Sequence, residues 1–291
     1  MAEHDRPSRS RVPIFTTMAR LPGGLMLLPL VFGVLLNTFA PDALGIGSFT
    51  TALFSADGAL TLIALLIVAT GAQITGSHSG AGAAGTTLVV LVTKTLIPAG
   101  VAVLLGLWFG IAGVAGVSVL AMLTVFGNSN GGLWLAFAGQ YGDERDRGAY
   151  LASAFDDGPF LALILLGASG LGDIPLVALL AAVVPFVIGL VIGALDREWT
   201  RVLTGVPNVV IPFMSFAIGT GIDLRTVLTG GATGAVLGVL VVAFTGGLTY
   251  LGYRFVLRRG ALSGIGFAAG TTAGNAVAVP AVVAVADPRF A

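Results

Sequence analysis

The 291-residue chain contains no cysteine, which removes disulfides, zinc-thiolate sites and cysteine nucleophiles from consideration. Histidine is nearly as scarce. His4 and His78 alone cannot build a histidine-rich metal centre or support several histidine-dependent sites, so no metal and no cofactor is expected. Charge is sparse too: 14 basic and 14 acidic residues make up 10% of the chain and cancel. Nucleic-acid binding needs a basic surplus on one face, and a neutral chain does not supply it. What remains is apolar. Hydrophobic residues form 56% of the sequence and mean hydropathy is +1.00, whereas a soluble domain carries about a quarter charged residues. The expected fold is an all-α polytopic membrane protein with the lipid bilayer as its solvent.

One stretch organises the rest. Gly127-Asn128-Ser129-Asn130-Gly131-Gly132 interrupts a run, Val114 to Gly139, that is otherwise apolar enough for lipid. An unpaired polar group in hydrocarbon costs several kcal/mol, so such an insert survives only inside protein or along a wet cavity. It reads as a transmembrane helix broken at a binding site.

In chain order, residues 1–20 form a basic tail, and nine apolar stretches follow. They run from Leu21 to Phe39, Ala59 to Ile74, Thr86 to Phe109, the broken stretch, Tyr150 to Leu171, Leu176 to Leu195, Val206 to Ile222, Gly230 to Phe255, and Ala261 to Ala286. With the tail in the cytoplasm, Arg6, Arg9, Arg11, Arg20, Arg145, Arg147, Arg197, Arg201, Arg254, Arg258 and Arg259 share that side. These are 11 of the 14 basic residues. Only Arg225 and Arg289 face the other side, which fixes the expected topology.

The halves resemble each other. Leu28-Pro29-Leu30-Val31-Phe32-Gly33 aligns with Val184-Pro185-Phe186-Val187-Ile188-Gly189, and Ala69-Thr70-Gly71 with Gly219-Thr220-Gly221. Gly270-Thr271-Thr272-Ala273-Gly274-Asn275 then supplies a second polar break in the ninth stretch. Corresponding helices are five spans apart, an odd number, so the halves insert upside down: a repeat over 21–171 and an inverted one over 172–291. Paired broken helices in inverted repeats mark secondary transporters, with the substrate near the midplane where the breaks cross. By this symmetry the second repeat lacks a tenth helix.

Several motifs, in order, carry a resemblance to a known family. They are Leu21-Pro22-Gly23-Gly24-Leu25-Met26-Leu27-Leu28-Pro29-Leu30, Thr93-Lys94, Asn130-Gly131-Gly132-Leu133, Gln140-Tyr141-Gly142, Asp156 with Gly158-Pro159, and Ile222-Asp223-Leu224. From Leu21 to Ala286 the chain resembles the 2-keto-3-deoxygluconate permeases. The resemblance implies a ten-helix bacterial inner-membrane symporter that imports a small anionic sugar acid with a coupling proton. At fold level it implies kinship with bile-acid and arsenite carriers. A homodimer is left open.

The polar groups inside the spans are the candidate site. Lys94 lies nine residues into its span, about 13 Å deep. It either meets the substrate carboxylate, pairs with a proton-loading aspartate, or is a structural or snorkelling lysine. Asp156 and Asp157 precede Gly158-Pro159. A desolvated carboxyl can load and release a proton near neutral pH, which makes Asp156 the first choice for coupling. The alternative is a helix that starts at Pro159 with Asp157 as its cap in a wet loop. Asp223 is a third ion-coupling candidate, or simply an interfacial residue beside Arg225. Asn128, Ser129, Asn130, Thr271, Thr272 and Asn275 suit sugar hydroxyls, with helix packing as their plainer role.

Three rival readings stay open: a sodium-coupled carrier of another organic anion, a channel, and an intramembrane aspartyl protease. Gly219-Thr220-Gly221-Ile222-Asp223 is one residue too long for the protease Gly-x-Gly-Asp pattern. A shared-proton dyad would also require Asp156 and Asp223 to touch.

Overall fold

The computed structural model describes residues 12–21, 24–76, 81–156 and 158–291. Asp157 and the tail through Arg11 lie outside the described residues, as does the side chain of Asn275. Among the described residues there is no named strand, and the nine apolar stretches are helical over most of their length.

Only helices of roughly 17–25 apolar residues cross a bilayer unaided. Ala83–Phe109, Leu176–Leu195 and Leu224–Val256 satisfy this as single helices. Two bent pairs join them: Ser48–Phe54 with Gly58–Gln73, at 60°, and Arg197–Thr204 with Val206–Gly219, at 43°. The other stretches fall short because they are brief or interrupted. We name the elements α1 (Gly24–Phe39), α2 (Ala56–Gly76), α3 (Ala83–Phe109), α4 (Val119–Phe126), α5 (Gly131–Tyr141), α6 (Tyr150–Asp156), α7 (Phe160–Ser169), α8 (Leu176–Leu195), α9 (Val206–Gly219), α10 (Leu224–Val256) and α11 (Val279–Ala286).

The expectation of an unbroken fifth span is corrected: α6 stops at Asp156 and α7 starts at Phe160. Gly158 adopts φ +94°, a conformation that L side chains rarely take. Pro159, which has no N–H to continue a helical ladder, occupies the N-cap of α7.

Two lobes result. In the first, α2 packs against α8 and α9, and α9 also packs against α1. Glycine makes these contacts close: a Cβ on Gly189 would strike the backbone of Val68, and one on Gly33 the backbone of Phe216 and Gly219. Without a hydrophobic drive in lipid, such backbone proximity is how transmembrane helices gain packing energy. The second lobe gathers α3, α4, α7, α10 and α11 around Leu123, Leu163, Leu166, Val279 and Val283, all buried. Large outward-facing residues such as Phe32, Trp108, Leu195 and Val239 are more than half exposed, as a lipid-facing surface requires.

Two helices of the second lobe widen in mid-course. Leu91–Leu96 in α3 and Val241–Gly246 in α10 are π-helical. In α3 the cause is local, because Pro98 withholds an N–H from the ladder and Ile97 donates to Val92 O, one residue further back than in an α-helix.

Candidate functional site

The two breaks meet. Asn130 N donates to Thr271 Oγ1 at 3.2 Å, Ala273 N to Asn128 O at 3.3 Å, and Thr272 Oγ1 to Val125 O at 2.8 Å. A ten-residue 3₁₀ helix, Gly260–Ala269, leads into the second break and a short one, Gly274–Ala278, leaves it. Runs of that form rarely exceed four residues, so the ninth stretch is held by its surroundings more than by its own ladder.

A helix ends with four carbonyls that lack intrahelical donors. At the C-terminus of α4 every one is satisfied, and three partners are side chains. Leu123 O accepts from Gly127 N at 2.8 Å, Thr124 O from Asn128 Nδ2 at 3.0 Å, and Val125 O from Thr272. Phe126 O accepts from Lys94 Nζ at 2.7 Å. The same ammonium donates to Asn128 O at 3.4 Å. Lys94 is wholly buried and sits on the π-helical turn of α3. Its charge faces the negative end of the α4 dipole.

Asp156, 1% exposed, lies beside it. One carboxylate oxygen accepts from Thr95 Oγ1 and Ser129 Oγ, both at 2.6 Å, and the other from Ser129 N at 3.2 Å. Among the described residues, no ion pair joins Lys94 to Asp156 directly. The third break also enters the cluster, since Gly158 N donates to Asn128 Oδ1 at 2.9 Å.

The structure thus brings together Lys94, Asn128, Ser129, Asn130, Asp156, Thr271 and Thr272. Asn128 and Ser129 are buried and committed to other protein groups. Asn130, Thr271 and Thr272 are half-buried. Asn130 also caps α5 by accepting from Leu133 N at 3.0 Å. Asn275 follows the second break in its 3₁₀ turn. Asp223 is not brought in: it is exposed and caps α10 through Arg225 N at 2.7 Å. The aspartyl dyad of a protease is therefore not assembled, with one carboxylate buried beneath the crossing and the other at a helix start.

Between the lobes, Ile67, Thr70, Pro159, Phe186 and Ala278 enclose a cavity of about 20 Å³, room for a single water.

One cluster was not foreseen from the sequence. At the far end of α5, Asp146 is completely buried and accepts from Tyr253 Oη at 3.0 Å and Arg259 Nη2 at 2.7 Å. Its carbonyl takes the indole N–H of Trp134 at 2.8 Å. Arg259 reaches Asp143 as well, at 2.8 Å, and its hydrogen bond holds the Asp143 carboxyl down at about 2. The first broken helix is thereby tied to the segment that leads into the second. The signal in the sequence was the Asp143-x-x-Asp146 spacing, which forms a capping box.

A helical membrane protein with two interrupted helices bonded at their breaks over a buried lysine and aspartate has the architecture of a membrane carrier. The chain belongs to the 2-keto-3-deoxygluconate permease family, a family of transporters and not enzymes, whose family model matches residues 15–291. It is 43% identical over 278 residues to 2-keto-3-deoxygluconate permease 1 of Salmonella typhimurium, covering 94% of this chain and 84% of that protein. Identity is 38% to the 2-keto-3-deoxygluconate permease of Xanthomonas axonopodis pv. citri, over 96% of this chain and 88% of the relative. To that of Bacillus subtilis it is 36%, over 96% and 84%. No solved structure matches.

Proposed function

We propose that this chain imports 2-keto-3-deoxygluconate, or a closely similar sugar acid, with a proton by alternating access. The observation that carries the reading is the crossing: two broken helices bonded to one another over buried Lys94 and Asp156. Half-buried Asn130, Thr271 and Thr272, with Asn275 beside them in sequence, meet the sugar hydroxyls. The N-terminal end of α5, which opens with Gly131 and Gly132, meets the carboxylate through its partial positive charge. Asn128 and Ser129 act from within, holding Asp156 and the Gly158 turn in place. Asp156 carries the proton, with Asp157 next to it in the chain.

The cavity between the lobes is too small for a sugar acid, so the site opens by movement of one lobe against the other. Regions 21–171 and 172–291 are read as inverted repeats, a reading supported by a break in each and by π-helical turns in both α3 and α10. The distribution of basic residues supports an N-terminus in the cytoplasm of a bacterial inner membrane.

The test is uptake of the labelled sugar acid into proteoliposomes under an inward proton gradient without sodium. Saturable accumulation that collapses with the gradient is expected. Accumulation that ignores the proton gradient and requires sodium would sink the coupling, and no saturable uptake in either gradient would sink the substrate.

A further inference from the structure

Unwound carbonyls and half-helix C-terminal ends are the groups from which carriers of this architecture build sites for a mobile cation. Here that place is filled by the protein itself. Phe126 O, the last carbonyl of α4, and Asn128 O, within the break, converge on the Lys94 ammonium at 2.7 and 3.4 Å. Asn128 O also receives Ala273 N from the second break, so one oxygen serves the crossing and the ammonium together. Lys94 is fully buried, and the π-helical turn beneath it sets its direction.

We propose that Lys94 is a tethered cation occupying a monovalent-cation site, so that this carrier leaves no seat for sodium, and that truncating Lys94 opens the site to a free small cation. The inference rests on the reading of the crossing as the transport site. Three features support it beyond simple capping. The ligands are backbone oxygens, which suit a hard monovalent ion as well as an ammonium. One comes from the unwound segment and the other from the last residue of α4, so neither carbonyl is used by a helical ladder. A carboxylate, Asp156, is hydrogen-bonded to Thr95, next to Lys94 in the chain, and to Ser129, next to Asn128, and supplies the counter-charge a dehydrated cation needs. The position is also one-sided: the fourth residue of the corresponding turn in α10 is Phe244, whose ring packs against Phe126 at 6.0 Å.

The experiment needs no sugar acid. Melting of the purified full chain and of Lys94→Ala is followed in detergent with sodium chloride, ethylammonium chloride or tetramethylammonium chloride at equal ionic strength. Tetramethylammonium has no N–H and is too large for the vacated place. The native chain should melt alike in all three. Lys94→Ala should melt lower, and sodium or ethylammonium should raise its midpoint saturably by about 2–4 °C over tetramethylammonium, as ligand linkage requires. Lys94→Ala/Asp156→Asn, which also removes the counter-charge, should lose the cation response, and Lys94→Ser, which keeps Asp156, repeats the comparison and guards against a single variant that does not fold.

A flat response of folded Lys94→Ala to every cation would leave Lys94 as an ordinary helix cap and overturn the proposal. So would a saturable, sodium-specific rise in the native chain. In proteoliposomes, uptake by Lys94→Ala should fall by about tenfold or more, because a lost partner strands a buried charge, and should return with sodium in proportion to site occupancy. A mistaken substrate appears separately, as failure of uptake by the native chain while the melting pattern still holds.

Discussion

Asp156 is the residue on which the coupling hypothesis turns. Among the described residues it is the only carboxylate hydrogen-bonded to either break, and both its oxygens are occupied by Thr95 and Ser129. Asp156→Asn keeps the shape of that arrangement and removes the exchangeable proton. It should abolish gradient-driven accumulation while leaving exchange of internal for external sugar acid measurable by counterflow. Accumulation that still follows the pH gradient in this variant would refute the role of Asp156. A second residue-scale prediction concerns Asp143. Its folded-state carboxyl lies at about 2, below the unfolded value of about 3.9, so its contribution is complete above that unfolded value and is lost as pH falls toward 2. The melting difference between the native chain and Asp143→Asn should be constant from neutral pH to about 5 and shrink as the pH falls toward 2.

Legibility at this scale followed cost. Lys94, Asn128 and Asp156 stood out because polar groups inside an apolar span are expensive, and the structure brings all three together. Asp223 was a weaker candidate, at the outer end of its span beside Arg225, and in the structure it caps α10. Asp146 went unnoticed: it sits in a charged loop and acquires its importance from Arg259, 113 residues away.

The elements show the same division. The two glycine-rich breaks were legible as interruptions of long apolar runs. The third, at Gly158-Pro159, was announced by those two residues but was set against a largely apolar background that argued for one helix. The π-helical turns went unforeseen: in α3 the signal is Pro98 just after the turn, and in α10 the turn is almost wholly apolar, where a shift from 3.6 to a wider repeat is invisible. The glycine contacts between α2 and α8 carry a prediction of their own. Gly189→Val places atoms against the Val68 backbone, which cannot withdraw as a flexible side chain could. A loss of about 1–3 kcal/mol is expected, read as a lower melting temperature in detergent. An unchanged midpoint would mean that the two helices are not pressed together as described.

At the scale of the whole molecule, the two lobes touch where Thr70 of α2 and Ala278 after the second break line one small cavity. Because the chain has no native thiol, cysteines introduced at these two positions would be the only ones present. Bridging them with a short bifunctional methanethiosulfonate should stop uptake, and reductant should restore it. Uptake that persists across a quantitative bridge would show that the lobes need not separate.

The tied ammonium of Lys94 has one more consequence, in the electrical account of a transport cycle. A charge bonded to α3 crosses no membrane, so it adds nothing to the energy that drives accumulation. Under the proposed function the mobile charges would be one proton, carried on Asp156, and one carboxylate, carried by the sugar acid, and these cancel. Uptake should therefore produce no net current, and a potassium diffusion potential of either sign should leave the final accumulation unchanged. Each unit of pH difference should support about a tenfold concentration ratio at equilibrium, the equivalent of roughly 1.4 kcal/mol. A measurable current coupled to uptake, or a plateau that moves with the imposed potential, would require a second mobile charge beyond this pair.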